Sequence, residues 1–195
     1  MGAMAVLDWI SPDSAFVLEG ERVRLRPPRG ADFLEWSELR RASRAFLQPW
    51  EPTWPADDLT RAAFRRRLSI YARDLDLGQG YAFFVFRKSD DVLVGGINLR
   101  DVRRGVAQSG ALGYWIGAPH ARQGHTLDAV RTVAAFAFQR LGLHRLEAAC
   151  LPENQASHRL LLKAGFEAEG RARAYLKING RWADHLLFGL VNEKG

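Results

Sequence analysis

The sequence predicts an α+β domain built on a mixed β-sheet with helices on its faces. Residues 81–117 contain three strand-like segments separated by short turns, which indicates an antiparallel meander. A helical pattern over residues 124–141 separates two further strand-like segments, as in a parallel crossover. Asn179-Gly180 lies between two more, and this dipeptide is the strongest short hairpin signal.

The N-terminal part predicts one strand and two helices. The alternating residues 22–26 (RVRLR) predict a strand that stops at PPRG. Asp32 is expected to cap a helix, with Glu35 completing a capping box. Three residues at helical spacing give this helix an apolar face: Phe33, Trp36 and Leu39.

A proline-rich loop is expected between the two helices. Residues 47–58 (LQPWEPTWPADD) hold three prolines and two tryptophans, so we predict an ordered loop without regular structure. The second helix is expected near residues 59–75. The tryptophans and prolines of the loop either line a cleft or cover the sheet.

The remaining elements follow from residue 81 onward. Strands are predicted over residues 81–87, 92–102, 106–117 and 144–151. Asn154 is expected to cap a short helix that ends at Gly165. The final hairpin pairs residues 171–178 with residues 181–190.

The chain reads as one unit without repeats or linkers. We expect an N-terminal extension over residues 1–20, with residues 1–4 (MGAM) as a cloning scar, and a single domain over residues 21–195. Asp8 and Pro12 interrupt the opening apolar stretch, so it is neither a signal peptide nor a membrane span. The lone Cys150 has no disulfide partner, which favours a cytoplasmic protein.

The net charge favours anionic partners. The formal charge is +6, and 24 of the 28 basic residues are arginine. A positive field attracts a phosphorylated cofactor, nucleic acid or an acidic protein surface. No nucleic-acid reading motif is present, and the five histidines (His120, His125, His144, His158, His185) lack the spacing of metal ligands, so we expect no metal.

A phosphate site is expected where the strand before residue 121 turns into the helix of residues 124–141. The stretch ARQGHTLDAV offers unpaired N–H groups and the positive end of a helix dipole. Gly124 lets the backbone approach an anion, and Arg122 adds charge, so residues 122–127 are a candidate pyrophosphate cradle. The alternative is that Gly124 merely starts a helix.

In this order, the segments LGYWIG, ARQGHTLDAV, LPENQAS and LKINGRWADHLLFGL resemble the GCN5-related N-acetyltransferases (GNAT). Within them the chain is most similar to the RimJ/RimL type, which acetylates the N-terminal residue of ribosomal proteins. The resemblance runs from Arg22 to Val191. It implies a mostly antiparallel sheet of six or seven strands with helices on both faces, and an acetyl-CoA-dependent N-acetyltransferase.

The resemblance also implies the residues that bind acetyl-CoA. The coenzyme signature Q/R-x-x-G-x-G/A falls on residues 121–126, where only Gly124 matches strictly; Ala121 and Thr126 depart from it. Backbone N–H groups near a bulge around Trp115 and Ile116 are expected to bind the developing oxyanion. The cradle itself comprises Arg122, Gln123, Gly124, His125, Thr126 and Leu127.

Asn154 and Ser157 fall where the family holds the pantetheine arm and protonates the departing thiolate. The alternative is that both residues simply close the start of a helix.

A general base is harder to assign. Where close relatives carry a glutamate, this chain has Leu176 or Ala174. Glu147, acting through water, is the first substitute, with Asp184 and His185 after it. Each has an alternative as a surface or ion-paired residue.

The expected acceptor is the N-terminal α-amine of a ribosomal protein. With a pKa of about 7.7–8.0, roughly a quarter to a third of such amines is neutral near pH 7.5, against about a thousandth of lysine side chains. Alternatives are a small-molecule amine, a ribosome-binding module and a coenzyme-binding scaffold without catalysis. We expect a monomer or homodimer that does not bind membranes.

Overall fold

The computed structural model describes residues 17–193, which form one eight-stranded sheet and five α-helices. The strands are β1 (Leu18–Glu19), β2 (Val23–Arg26), β3 (Tyr81–Arg87), β4 (Val92–Arg103), β5 (Ser109–Ile116), β6 (Arg145–Cys150), β7 (Glu167–Ile178) and β8 (Arg181–Val191). The helices are α1 (Phe33–Ala42), α2 (Arg44–Leu47), α3 (Arg61–Asp76), α4 (His125–Gln139) and α5 (Gln155–Ala164).

The strand order is β1-β2-β3-β4-β5-β6-β8-β7. Only the β5–β6 pair is parallel among the described strands, because α4 carries the chain from one to the other as a crossover. The predicted α+β class is therefore confirmed. The count is eight strands rather than six or seven, because Leu18–Glu19 pairs with β2. A strand of two residues is too short to show an alternating pattern in the sequence. The proposed scar at residues 1–4 lies outside the described residues.

Helices cover both faces of the sheet, as predicted. Alternation along β3 sends Phe84 and Phe86 to one face, where they pack with Trp36 of α1 and Phe64 of α3. We call this side of the sheet the α1 face. The opposite α4 face is covered by α4 and α5, whose buried contacts with the sheet include Val130, Val133, Ala137 and Leu161.

The predicted helix and turn signals near the C-terminus are confirmed. Asn154 is the N-cap of α5, where its Oδ1 accepts the Ser157 N–H at 3.0 Å. Gly165 ends that helix with a φ of 99°. Asn179 and Gly180 form the β7–β8 turn with φ values of 44° and 80°.

The predicted capping box at α1 is wrong. Glu35 does not reach back to the helix start, because its Oε1 accepts the N–H of Leu93 on β4 at 2.7 Å. Asp32 occupies the N-cap position, but its carboxylate accepts the Arg29 N–H at 2.7 Å and forms an ion pair with Arg26 at 2.6 Å. Both carboxylates therefore join α1 to the sheet and the preceding turn.

The prediction of a loop over residues 47–58 is wrong at its start. Leu47 ends α2, and Gln48–Trp50 continue as a 3₁₀ turn. Pro49 is compatible with this turn because the first turn of a helix needs no proline N–H. The rest is irregular until Thr60, whose Oγ1 accepts the Ala63 N–H and caps α3.

Candidate active site

The start of α4 presents six consecutive backbone amides without a protein acceptor. Arg122 and Gly124 have φ values of 61° and 85°, which turn the chain sharply into the helix. Within residues 17–193, no amide of residues 122–127 donates a hydrogen bond, whereas the next amide, of Asp128, donates to the Gly124 carbonyl at 3.1 Å. Such a nest at a helix N-terminus binds anions. Coenzyme contact by these residues stays a prediction.

Arg22 brings a second guanidinium to this cradle, which the sequence did not single out. A β-carbon placed on Gly124 would lie 3.6 Å from Arg22 Nη1. Asp128 of α4 fixes this arrangement, because its carboxylate accepts the N–H groups of Glu21, Arg22 and Val23 at 3.2, 2.7 and 3.0 Å. The helix that carries the amides therefore also positions the arginine.

His125, at the first position of α4, is 6% exposed, and its Nδ1 has no hydrogen-bond partner within residues 17–193. Its Nε2 lies 3.3 Å from Gln123 Oε1. Burial lowers the pKa of His125, and the positive charges of Arg87, His120 and Arg22 lower it further. These charges make the cradle a favourable place for an anion.

A gap opens between β5 and β6. Their pairing runs only from Ser109 and Arg145 to Leu112 and Ala148. Beyond it, β5 stays paired with β4 up to Ile116, and β6 stays paired with β8. The two halves of the sheet therefore separate next to the start of α4.

Two amides of β5 face this gap. Gly117 donates to the Val94 carbonyl at 2.8 Å, and the register between β4 and β5 is unbroken from there to Ala111. Antiparallel pairing alternates the direction of successive amides. The N–H of Trp115 therefore points toward β4, whereas those of Tyr114 and Ile116 point into the gap.

The bulge expected around Trp115 and Ile116 is absent from β5. In the β4–β5 pair the register irregularity lies between Arg100 and Arg103 of β4, where Asp101 has a φ of 52°, and a second irregularity of β4, at Val94, lies in its pairing with β3. The gap thus arises because β6 leaves β5. Ile116 remains a candidate oxyanion donor, but the Trp115 amide is directed away from the gap.

Tyr114 and Ser157 meet at the gap on the α4 face. The Tyr114 hydroxyl and Ser157 Oγ are 2.6 Å apart, and the Ser157 N–H bonds to Asn154 Oδ1. Burial raises the pKa of Tyr114, so its hydroxyl stays protonated and can donate. Burial also raises the pKa of Cys150, which keeps the thiol neutral. Beyond its place in β5, Tyr114 carries no sequence signal that would have singled it out.

Glu147 lies apart from Tyr114 and Ser157. It lies in the paired part of β6, on the α1 face, and its carboxylate forms ion pairs with Arg103 at 2.9 Å and Arg145 at 3.2 Å. Asp184 of β8 is likewise paired, with Arg171 at 2.8 Å. His185, the third candidate base, is buried at 2% exposure.

A polar and aromatic wall stands on the α1 face beside the gap. Arg40 donates two hydrogen bonds to Glu51, at 2.7 and 2.8 Å, and Trp54 donates to the same carboxylate at 2.7 Å. The Arg40 guanidinium lies 4.2 Å from the Trp54 ring and 5.0 Å from the Trp115 ring. Asn179 at the hairpin tip donates to the Glu51 carbonyl at 3.0 Å.

Neither a metal cluster nor a membrane-spanning helix is present in residues 17–193. No group of three or more His, Cys, Asp and Glu side chains is arranged there to hold a metal ion. No helix in this part of the chain has the length and apolar character needed to cross a membrane.

Comparisons with known proteins agree with this geometry. Residues 22–167 match the family model of the acetyltransferase (GNAT) domain. A probable N-acetyltransferase of Bacillus subtilis, YjcK, is 36% identical over 90% of this chain and 97% of its own. The ribosomal protein uS5-alanine N-acetyltransferase of Escherichia coli is 30% identical over 89% of this chain and 90% of its own.

A solved structure extends the comparison. Mycobacterium smegmatis RimJ, in complex with CoA-disulfide, is 30% identical and superposes with a TM-score of 0.85 over 94% of this chain and 89% of its own. The predicted fold, N-acetyltransferase class and acetyl-CoA cofactor are confirmed by these matches. The chain belongs to the GNAT acetyltransferase family.

Proposed function

We propose that this enzyme acetylates the N-terminal α-amine of a ribosomal protein in the cytoplasm. Support comes from the E. coli relative, which acts on the alanine of uS5, and from M. smegmatis RimJ. The chemistry also favours this acceptor, because an α-amine is far more often neutral near pH 7.5 than a lysine side chain.

The open amides of residues 122–127 support the coenzyme-binding part of this proposal, since a diphosphate is the group that they suit best. Arg22 and Arg122 add charge at the same place, and Gly124 leaves room for a close approach. Acetyl-CoA, when bound here, supplies the thioester that is attacked. The gap between β5 and β6 leads from this cradle toward Tyr114 and Ser157.

The residues at the gap would then have separate roles in the reaction. The Ile116 amide, directed into the gap, would donate to the developing oxyanion. Ser157, hydrogen-bonded to Tyr114, would donate to the departing sulfur. The Asn154 Oδ1 is used by the helix cap, so its Nδ2 is the atom left to hold the pantetheine arm.

The acceptor would approach from the α1 face. Trp54 and Trp115 border the gap there, and Arg40 and Glu51 hold both rings in place. The half-buried Trp54 beside the gap supports the alternative from the sequence in which the loop lines a cleft.

The test is an acetylation assay that compares acceptors. Purified protein is incubated with acetyl-CoA and an equimolar mixture of peptides with ribosomal-protein N-termini, aminoglycosides and polyamines, and the products are weighed. Acetylation confined to a peptide α-amine is expected. Preferential acetylation of a small amine would refute the acceptor assignment. Coenzyme binding without any product would favour a scaffold, and salt-sensitive ribosome binding alone would favour a binding module.

A further inference from the structure

His185 on β8 has one ring nitrogen fixed by the backbone. Its Nδ1 lies 3.0 Å from the carbonyl oxygen of Ala183. A carbonyl only accepts, so Nδ1 must carry the proton of this bond. In the neutral ring Nε2 then holds the lone pair, as a general base requires.

The other ring nitrogen is not sealed in the interior. Within residues 17–193, Nε2 has no hydrogen-bond partner, and it is not among the enclosed polar atoms that lack one. Although His185 is only 2% exposed overall, its Nε2 therefore keeps some accessible surface.

The strand registers place His185 at the gap. Cys150 of β6 pairs with Leu186, so His185 lies one residue beyond the last β6–β8 pair, where β5 and β6 have already separated. Leu186 packs on the α4 face. Since successive side chains alternate, His185 is on the α1 face, the same face as Trp115.

A bulge in the neighbouring strand holds the ring. The β7–β8 register shifts between Ala172 and Leu176, and Ala174 has a φ of 46°. The Asp184 carboxylate accepts the Ala174 N–H at 2.8 Å and so fixes the bulge. The Tyr175 ring then meets the His185 ring edge to face, with centroids 5.8 Å apart. Bulges of this kind often aim a side chain at an active site.

We propose that His185 Nε2 is the general base that accepts the proton of the attacking amine. This inference rests on the proposed function of the site. As the amine nitrogen forms its bond to the thioester carbon, its proton passes to Nε2, and the carbon–sulfur electron pair leaves with the thiolate. The thiolate takes a proton from the Ser157 hydroxyl, which is reprotonated from solvent, and His185 returns its own proton to solvent.

This arrangement places acid and base on opposite sides of the reacting carbon. Ser157 and Tyr114 are on the α4 face, and His185 is on the α1 face with the acceptor wall. Glu147 is less suited, because two arginines already neutralise its carboxylate. Tyr175 of β7 is the titratable residue whose ring contacts His185.

The test compares His185→Asn with two matched variants. Asparagine can still donate to the Ala183 carbonyl but lacks Nε2. Glu147→Gln removes the rival base, and His144→Asn alters an exposed histidine at the start of β6. Wild-type acetylation of any amine is established first, with acetyl-CoA binding and thermal melting measured for every variant.

We expect kcat of His185→Asn to fall on the order of a hundredfold with acetyl-CoA binding unchanged. Imidazole should restore activity to His185→Ala, which a merely structural role would not allow. Glu147→Gln and His144→Asn should stay within about threefold of wild type.

An active His185→Asn, or a hundredfold loss in Glu147→Gln instead, would overturn the assignment. A deficit in His185→Ala that imidazole does not relieve would also overturn it. A wild type that acetylates no amine would instead refute the proposed function itself, so the two failures are distinguishable.

Discussion

Gly124→Ala tests the coenzyme cradle with little effect on the rest of the protein. Gly124 has a φ of 85°, where an L side chain costs about 1–2 kcal/mol. The new β-carbon would meet only Arg22 Nη1, at 3.6 Å, which is ordinary contact. Alanine also reduces the entropy of the unfolded chain, which offsets about 0.4–1 kcal/mol. The free energy of unfolding should therefore fall by only about 1 kcal/mol, and Tm by about 3 °C.

The effect on acetyl-CoA should be much larger. The methyl group would stand between Arg22 and the open amides, where the diphosphate is expected, so calorimetry should show at least a tenfold weaker Kd, about 1.4 kcal/mol. Gly142→Ala is the matched control, since Gly142 has a φ of 64° and a β-carbon placed on it would meet no atom within 4 Å. Equal acetyl-CoA affinity in the two variants would refute the reasoning.

Four further changes test the surrounding groups. Tyr114→Phe should lower kcat about tenfold, by loosening Ser157, and stability by about 1 kcal/mol, checked by kinetics and melting. Asp128→Ala leaves three backbone donors without their acceptor, so denaturant unfolding should show a loss of about 1–3 kcal/mol with weaker acetyl-CoA binding. Arg40→Lys loses the pair of hydrogen bonds to Glu51 and the stacking on the Trp54 and Trp115 rings. Steady-state kinetics should show a several-fold higher KM for the acceptor, with the affinity for acetyl-CoA unchanged. The folded-state pKa of His125 lies below its ordinary 6.5, so the unfolded chain binds more protons and stability falls as pH drops below 6.5. His125→Gln should flatten that part of the stability curve.

Much of the fold could be predicted because its signals are local. Asn154 and Gly165 bound α5, and Asn179-Gly180 turns the last hairpin, each through its own backbone preference. The predicted capping box is wrong because the Glu35 carboxylate accepts a hydrogen bond from the distant Leu93 amide instead of from the start of its own helix. A capping pattern cannot reveal such a partner.

The candidate site was predictable only where backbone geometry decides it. Gly124 indicates where the cradle lies, and the unpaired amides that come after it are expected at the start of any helix. Tyr114 and Arg22 were missed because their roles depend on contacts with residues 43 and 106 positions away in the chain. His185 was named from the sequence, but the β7 bulge, its Ala183 contact and the two ion pairs of Glu147 are needed to distinguish it from Glu147.

The most direct test of the central claim is amide hydrogen exchange of residues 122–127 with and without CoA. These amides have no protein acceptor within residues 17–193, so they should exchange rapidly in the free enzyme and become protected when CoA binds. Pantetheine, which lacks the diphosphate, should give no such protection. Amides that are already protected in the free protein, or that exchange equally fast when CoA is bound, would contradict the account.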